Sequence, residues 1–425
     1  MVSLTTPIER LLLFGVVALL PIENHIPPIM GFSIIALVFG VIAIYVLLNR
    51  APMLGKVWTH PLFFTAYGLL LLIVILELTH PDSDYLEILS IVQMVLGGVF
   101  VAALCRDQAG LRAGLYGWLV AGLGATFYLI ETGYSNLATL TGAGFQVASA
   151  ARANAFEGGG LIANLNSLAF FAAQGAAVAL ALGITERTAW RKAQFLGVML
   201  TCVIGVFIAM SRGGVIVLAA SCLAIMGCYG LMKARTIVVL ALLTLVIALF
   251  VPEVVFSRLV YKAPIEDQEA RNEARTRIYT AVFDNLPEYF IAGVGAGHYW
   301  KSWGAGHGFI ESVYKKGGVV GSHNCFAQVT IYWGLGGLCG VLAVIWQAYR
   351  YFPRACRTHS LKICLLGTTV SLLPWMATMH NISNKEYSFG LGLIVGASLW
   401  IWPRSVGGVR FQPQENVSSA ARSKS

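Results

Sequence analysis

The chain has 425 residues, of which 57% are hydrophobic and only 12% charged, with a formal net charge of +9. Soluble domains carry about 25% charged residues, so a mean hydropathy of +0.73 excludes a water-soluble globule. The basic excess needs no nucleic acid, because cations beside membrane spans face an anionic inner leaflet.

A hydrocarbon core takes roughly 20 apolar residues per helical span. Twelve candidate spans fall near 8–24, 29–48, 62–78, 86–105, 111–131, 161–183, 193–211, 213–231, 236–252, 324–347, 361–380 and 387–402. These runs are too long and continuous for barrel strands, and lipid leaves no bare backbone polar group tolerable. The expectation is an all-α polytopic membrane protein of about twelve helices. Residues 1–252 would hold helices one to nine, 253–322 a large outward loop, 323–403 the last three helices, and 404–425 a polar, basic, disordered tail. No cleavable signal is apparent, since the first apolar run lacks a small-residue cleavage site and continues into Pro21-Ile22-Glu23-Asn24. The eight cysteines are dispersed and make neither a disulfide framework nor a metal-type pair.

Orientation follows from the basic residues. With the N-terminus inside, 18 of the 29 Lys and Arg residues, from Arg10 and Arg50 to Arg422 and Lys424, fall in cytoplasmic segments. The short outward loops keep only Arg152, Arg212 and Lys385, and long loops barely count in the positive-inside rule. Both termini are expected in the cytoplasm and the large loop in the periplasm.

Most of the remaining ionisable chemistry lies on that outward side. Arg212 sits in Met210-Ser211-Arg212-Gly213-Gly214, a polar nick between two apolar runs. It reads as a snorkelling arginine or as a functional one, and arginine beside a span favours function. Its two glycines would let another backbone or a ligand approach closely. In the large loop, residues 270–286 read as an amphipathic helix with Ile278, Tyr279, Val282 and Phe283 as its apolar stripe. Arg271 and Arg275, four residues apart, share a face; pairing with Glu269 and Glu273 and an anion clamp both fit that spacing. Pro287 is expected to end this helix, and Gly293-Val294-Gly295-Ala296-Gly297 to form a tight turn lining a cavity.

His323 enters the next apolar segment as Ser322-His323-Asn324. It reads either as a neutral base, with nearby arginines depressing its pKa, or as part of a helix start that Ser322 would cap. His298, His307 and His380 lack this context. Asp82-Ser83-Asp84 reads as a turn and helix N-terminus, and no His/Glu cluster has metal-ligand spacing. No metal site and no cofactor are therefore expected.

Ser211-Arg212-Gly213, Arg275-Thr276-Arg277-Ile278-Tyr279 before Gly293-Val294-Gly295-Ala296-Gly297, and His323-Asn324 entering Trp333-Gly334-Leu335-Gly336-Gly337-Leu338 resemble, in order and spacing, the O-antigen ligase and polymerase superfamily. In that family's pattern the loop arginine precedes an aromatic residue by four positions, here Arg275 and Tyr279, with Tyr in place of the more usual Trp. The resemblance implies a periplasm-facing glycosyltransferase of the inner membrane. Its donor would be a glycan on undecaprenyl pyrophosphate, and its acceptor a hydroxyl of lipid A–core or, in a polymerase, of a second lipid-linked glycan. It implies Arg212 and Arg275 on the diphosphate, His323 as the base, and Arg271, Arg277, Tyr279, Gly295 and Asn324 around the substrates. The single large loop inclines the reading towards ligase. A transporter or flippase would instead place charges near the midplane of two related halves, and no such halves are visible.

Overall fold

The structure is a computed structural model that describes residues 4–25, 33–80, 82, 84–131, 165–230, 277–309, 319–352, 359–378 and 385–402. Arg152, Arg271, Arg275, His380, the expected span 236–252 and the C-terminal tail lie outside the described residues. Among the described residues the secondary structure is helical, without strands. The long helices are α1 (Pro7–Ala18), α2 (Ile34–Trp58), α3 (Pro61–Thr79), α4 (Tyr85–Leu104), α5 (Gln108–Leu129), α6 (Leu165–Thr185), α7 (Ala189–Ile208), α8 (Arg212–Tyr229) and α9 (Cys325–Tyr351). Three more follow: α10 (Ser360–Val370), α11 (Leu372–Thr378) and α12 (Lys385–Gly396).

Among the described residues eight spans are long and apolar enough to cross a membrane, namely α2, α3, α4, α6, α7, α8, α9 and the joined pair α10–α11. The chain is a multi-pass membrane protein. Near three further expected spans lie α1 and α12, with 12 residues each, and the Gly-rich α5, with 22. The span expected at 29–48 runs longer, as α2, and continues through Pro52 to Trp58.

Helix starts follow local chemistry. Thr6 and Glu9 form a capping box on α1, Asp84 caps α4, Asp107 caps α5 and Ser211 caps α8, each side chain satisfying an orphan backbone N–H. At one end of the bundle Glu9, fully buried, binds Arg106 and Arg50 at 2.5 Å each. The opposite end gathers the C-termini of α3, α7 and α11 with the N-termini of α4, α6, α8 and α9.

The centre is α6, whose span is 89% buried, packed by α5, α7, α8 and α10. Without a hydrophobic force between helices in lipid, close packing of small residues and buried hydrogen bonds must do the joining. Gly122 of α5 faces Gly175 of α6 so closely that a Cβ on Gly122 would lie 2.7 Å from the Gly175 Cα. Beside them, buried Gln174 donates to Ser371 Oγ at 2.6 Å and to the Thr368 carbonyl at 3.2 Å.

This packing separates two glycines of one helix. Gly122→Ala forces a methyl into backbone and should destabilise by about 1–3 kcal/mol. Gly124, with no atom within 4 Å of its Cβ position, should tolerate Ala within about 0.5 kcal/mol. Thermal unfolding in detergent compares the two; equal melting temperatures would refute the tight α5–α6 seam.

Candidate active site

One buried carboxylate organises the outward end expected from the charge pattern. Glu77, in the last turn of α3, is fully buried and accepts hydrogen bonds from four N–H donors among the described residues. Its Oε1 takes the N–H of Asp84 at 2.9 Å and of Gly297 at 3.0 Å. Its Oε2 takes the N–H of Ala296 at 2.9 Å and Trp333 Nε1 at 3.1 Å. A bare carboxylate in hydrocarbon is costly, and four donors from three separate segments replace its lost water.

The glycine turn is consequently an internal fastening. Gly293 and Gly295 adopt φ of +78° and +80°, a region open to glycine. The Val294 N–H bonds the Ile331 carbonyl at 2.8 Å and the Gly295 N–H bonds the Tyr332 carbonyl at 2.9 Å. Ala296 and Gly297 serve Glu77. Gly295, expected to line a substrate cavity, is buried, with the His80 side chain 2.8 Å from where a Cβ would be.

This fastening meets a break in α9. Trp333 (φ −130°, ψ 19°) and Gly334 (φ 62°, ψ −158°) leave helical geometry, which frees the Ile331 and Tyr332 carbonyls taken by the turn. On the far side of the break the Leu335 N–H bonds the Phe290 carbonyl at 2.6 Å. Aromatic packing joins the same parts, with Tyr299 against Tyr332 and Phe309 at centroid separations of 5.4 Å each.

His323 stands at the head of the upper half of α9. It is exposed and holds φ of +55°, a left-handed conformation unfavourable to a residue with a Cβ. Asn324 is the cap, its Oδ1 accepting from Phe326 N at 2.9 Å and Ala327 N at 3.2 Å. Ser322, expected in that role, instead donates from Oγ to the Asn324 carbonyl at 2.9 Å, and Gln328 Oε1 accepts its N–H at 2.6 Å. Arg212 is the first residue of α8, also exposed at this end. Two residues before it, Met210 is also left-handed, at φ +49°. The space beside its glycines is filled by side chains, Thr378 facing Gly213 and Ala169 facing Gly214.

Residues 277–284 are helical, with Ile278, Ala281 and Val282 buried and Arg277, Tyr279 and Phe283 exposed. The apolar stripe expected there is thus split between an inner and an outer face. The helix stops at Asn285, before Pro287, which lies in a separate turn at Leu286–Tyr289. Both described rival histidines are held in local pairs. His298 Nδ1 lies 3.2 Å from Asp82 Oδ2 and 3.1 Å from Ser302 Oγ. His307 lies 3.1 Å from Glu288 and stacks on Trp303.

No motif in the sequence singles out Glu77. Its available signal was a lone acid inside the apolar run 62–78, which alone suggests a membrane-buried polar site.

Residues 196–342 match the family described as O-antigen ligase. This stretch, about a third of the 425-residue chain, runs from α7 into α9 and includes Arg212, Arg271, Arg275, Arg277, Tyr279, Gly295, His323 and Asn324. No curated protein matches the chain. The chain is thus a multi-pass membrane protein with a stretch similar to the O-antigen ligase family, and that likeness points to membrane glycan transfer on lipid-linked glycans.

The His298–Asp82 contact has a pH signature. The hydrogen bond with His298, then the charge of Lys301, holds the Asp82 carboxyl below its ordinary 3.8. A depressed acid contributes stability above its unfolded value and loses it as the pH falls through the folded one. Asp82→Asn should therefore melt below wild type at pH 7, and the gap should close towards pH 3.8 and below. A gap independent of pH would contradict this attachment of the loop.

Proposed function

We propose that this chain, proceeding from its O-antigen ligase domain, is an O-antigen ligase. It would move a glycan from undecaprenyl pyrophosphate to a sugar hydroxyl of lipid A–core, at the periplasmic face of the inner membrane. The observation that carries the reading is the match over 196–342, which contains each residue the chemistry needs. In this reading about twelve helices cross the bilayer, both termini are cytoplasmic, and residues 253–322 form the periplasmic loop.

The acceptor oxygen attacks the anomeric carbon while the bond from that carbon to the diphosphate oxygen breaks. His323 takes the hydroxyl proton, a role worth roughly 10²–10⁴-fold, and undecaprenyl pyrophosphate leaves with the negative charge. Attack opposite the leaving group inverts the anomeric centre. Arg212 and Arg275 hold the diphosphate through bidentate forks, with Arg271 and Arg277 as helpers and Tyr279 and Asn324 bordering the substrates. Developing charge on the diphosphate is met by fixed cations, and the positive N-terminal end of α8 adds to Arg212. The left-handed backbone at His323 and Met210 supports this assignment, since strained residues cluster where a side chain must be held for function.

Polymerase is the alternative within this chemistry, differing only in the acceptor. A transporter reading would use the break in α9, because unwound backbone there can bind substrate. The Ile331 and Tyr332 carbonyls and the Leu335 N–H are instead taken by the loop, which favours transfer chemistry.

In a reconstituted assay with lipid-linked glycan and lipid A–core, His323→Ala should lose at least about 10²-fold in rate while remaining folded. Near wild-type transfer would remove His323 from the base role. Arg212→Lys and Arg275→Lys keep the charge but lose the fork, so both should be severely impaired, and Arg152→Ala should retain most activity. The double arginine variant should lose less than the product of the single losses, since groups acting as a unit are non-additive. Normal rates in either lysine variant, or strictly multiplicative losses, would refute a shared clamp.

A further inference from the structure

We propose that Glu77 is a positioning residue that sets where His323 stands, acting through the upper half of α9. The inference rests on the reading of His323 as the base.

The upper half of α9 is a short rod, residues 325–332, fixed at two ends. Its lower end is the break, where Trp333 Nε1 bonds Glu77 Oε2 at 3.1 Å. There the Ile331 and Tyr332 carbonyls receive the N–H groups of Val294 and Gly295. The next two N–H groups of that same turn, at Ala296 and Gly297, end on Glu77. Its upper end is the Asn324 cap, with His323 immediately before it. Glu77 thus couples α3, the start of α4, the glycine turn and the broken helix, and the rod ends at the base. A displacement of about 1 Å at a reacting group costs on the order of 10²-fold in rate, so geometry at the break is read out at His323.

The carboxylate's symmetry makes the test sharp. Each oxygen accepts two N–H donors, one pair at Oε1 and one at Oε2. A glutamine of the same size must place its own NH₂ against one of these pairs, whichever way the amide is turned.

The experiment compares Glu77→Gln, Trp333→Phe and His323→Ala with wild type, all full-length in nanodiscs, after melting curves fix a temperature at which each is fully folded. Rates are expressed per folded molecule, with KM measured for both lipid substrates. Glu77→Gln should lower kcat at least 10-fold with both KM values within about two-fold, and Trp333→Phe, which removes one of four bonds, should lower it less. A lower melting temperature with unchanged kcat per folded molecule would mean that Glu77 only stabilises, and overturns the inference. A change confined to KM does the same. Where Glu77→Gln does not fold, Trp333→Phe decides: a reduced kcat supports the inference and an unchanged one overturns it. If His323→Ala keeps its rate, the base reading falls and this inference falls with it. If His323→Ala is inactive and Glu77→Gln is normal, only the inference fails.

Discussion

The end of this bundle that carries Glu77 depends on one constraint: backbone polar groups exposed by a broken membrane helix must find partners inside the protein. Opening α9 at Trp333 and Gly334 leaves the carbonyls of Ile331 and Tyr332 without helical donors. Two consecutive N–H groups of the loop turn supply them, and the Phe290 carbonyl receives the Leu335 N–H in return. The loop and the helix therefore cannot be built independently. Each half of the exchange is costly without the other, since a buried unpaired polar group costs about 1–3 kcal/mol.

From that exchange the rest of the site follows. The turn must approach backbone closely and pass through positive φ, which is why glycines occupy 293, 295 and 297. A Cβ at Gly293 would meet the Trp333 N at 2.6 Å, and one at Gly297 would meet the Asp84 N at 2.8 Å. With the donors of 294 to 297 all engaged within the protein, the glycine turn does not serve as a phosphate-binding loop. In the proposed chemistry, charge for an anionic leaving group then has to come from side chains; Arg212 at the head of α8 and Arg277 on the loop helix are exposed.

The parts legible in the sequence are those governed by local rules. Apolar run lengths gave helices close to where α3, α4, α6, α7 and α8 lie, and Asp84 as a helix start follows from its short polar side chain beside an apolar run. The cap of α9 was misplaced by two residues, because Ser322 and Asn324 are equally good caps and only the left-handed turn at His323 decides between them. The loop stripe was split because Tyr279 and Phe283, four apart, lie on a face different from that of Ile278 and Val282. Glu77 was missed for a deeper reason. Its partners Ala296 and Trp333 lie 219 and 256 residues away, and no spacing rule links a lone acid in one span to a glycine turn in a distant loop.

The central claim is transfer of a glycan from a lipid diphosphate to lipid A–core, and its most direct measurement is purified wild-type protein in vesicles with a labelled lipid-linked glycan and both acceptors in competition. The account predicts label on lipid A–core, release of undecaprenyl pyrophosphate in equal amount, and an inverted anomeric linkage in the product. Label appearing only on a longer lipid-linked glycan would make the protein a polymerase. Movement of the intact donor across the bilayer, with no product formed, would contradict the account altogether.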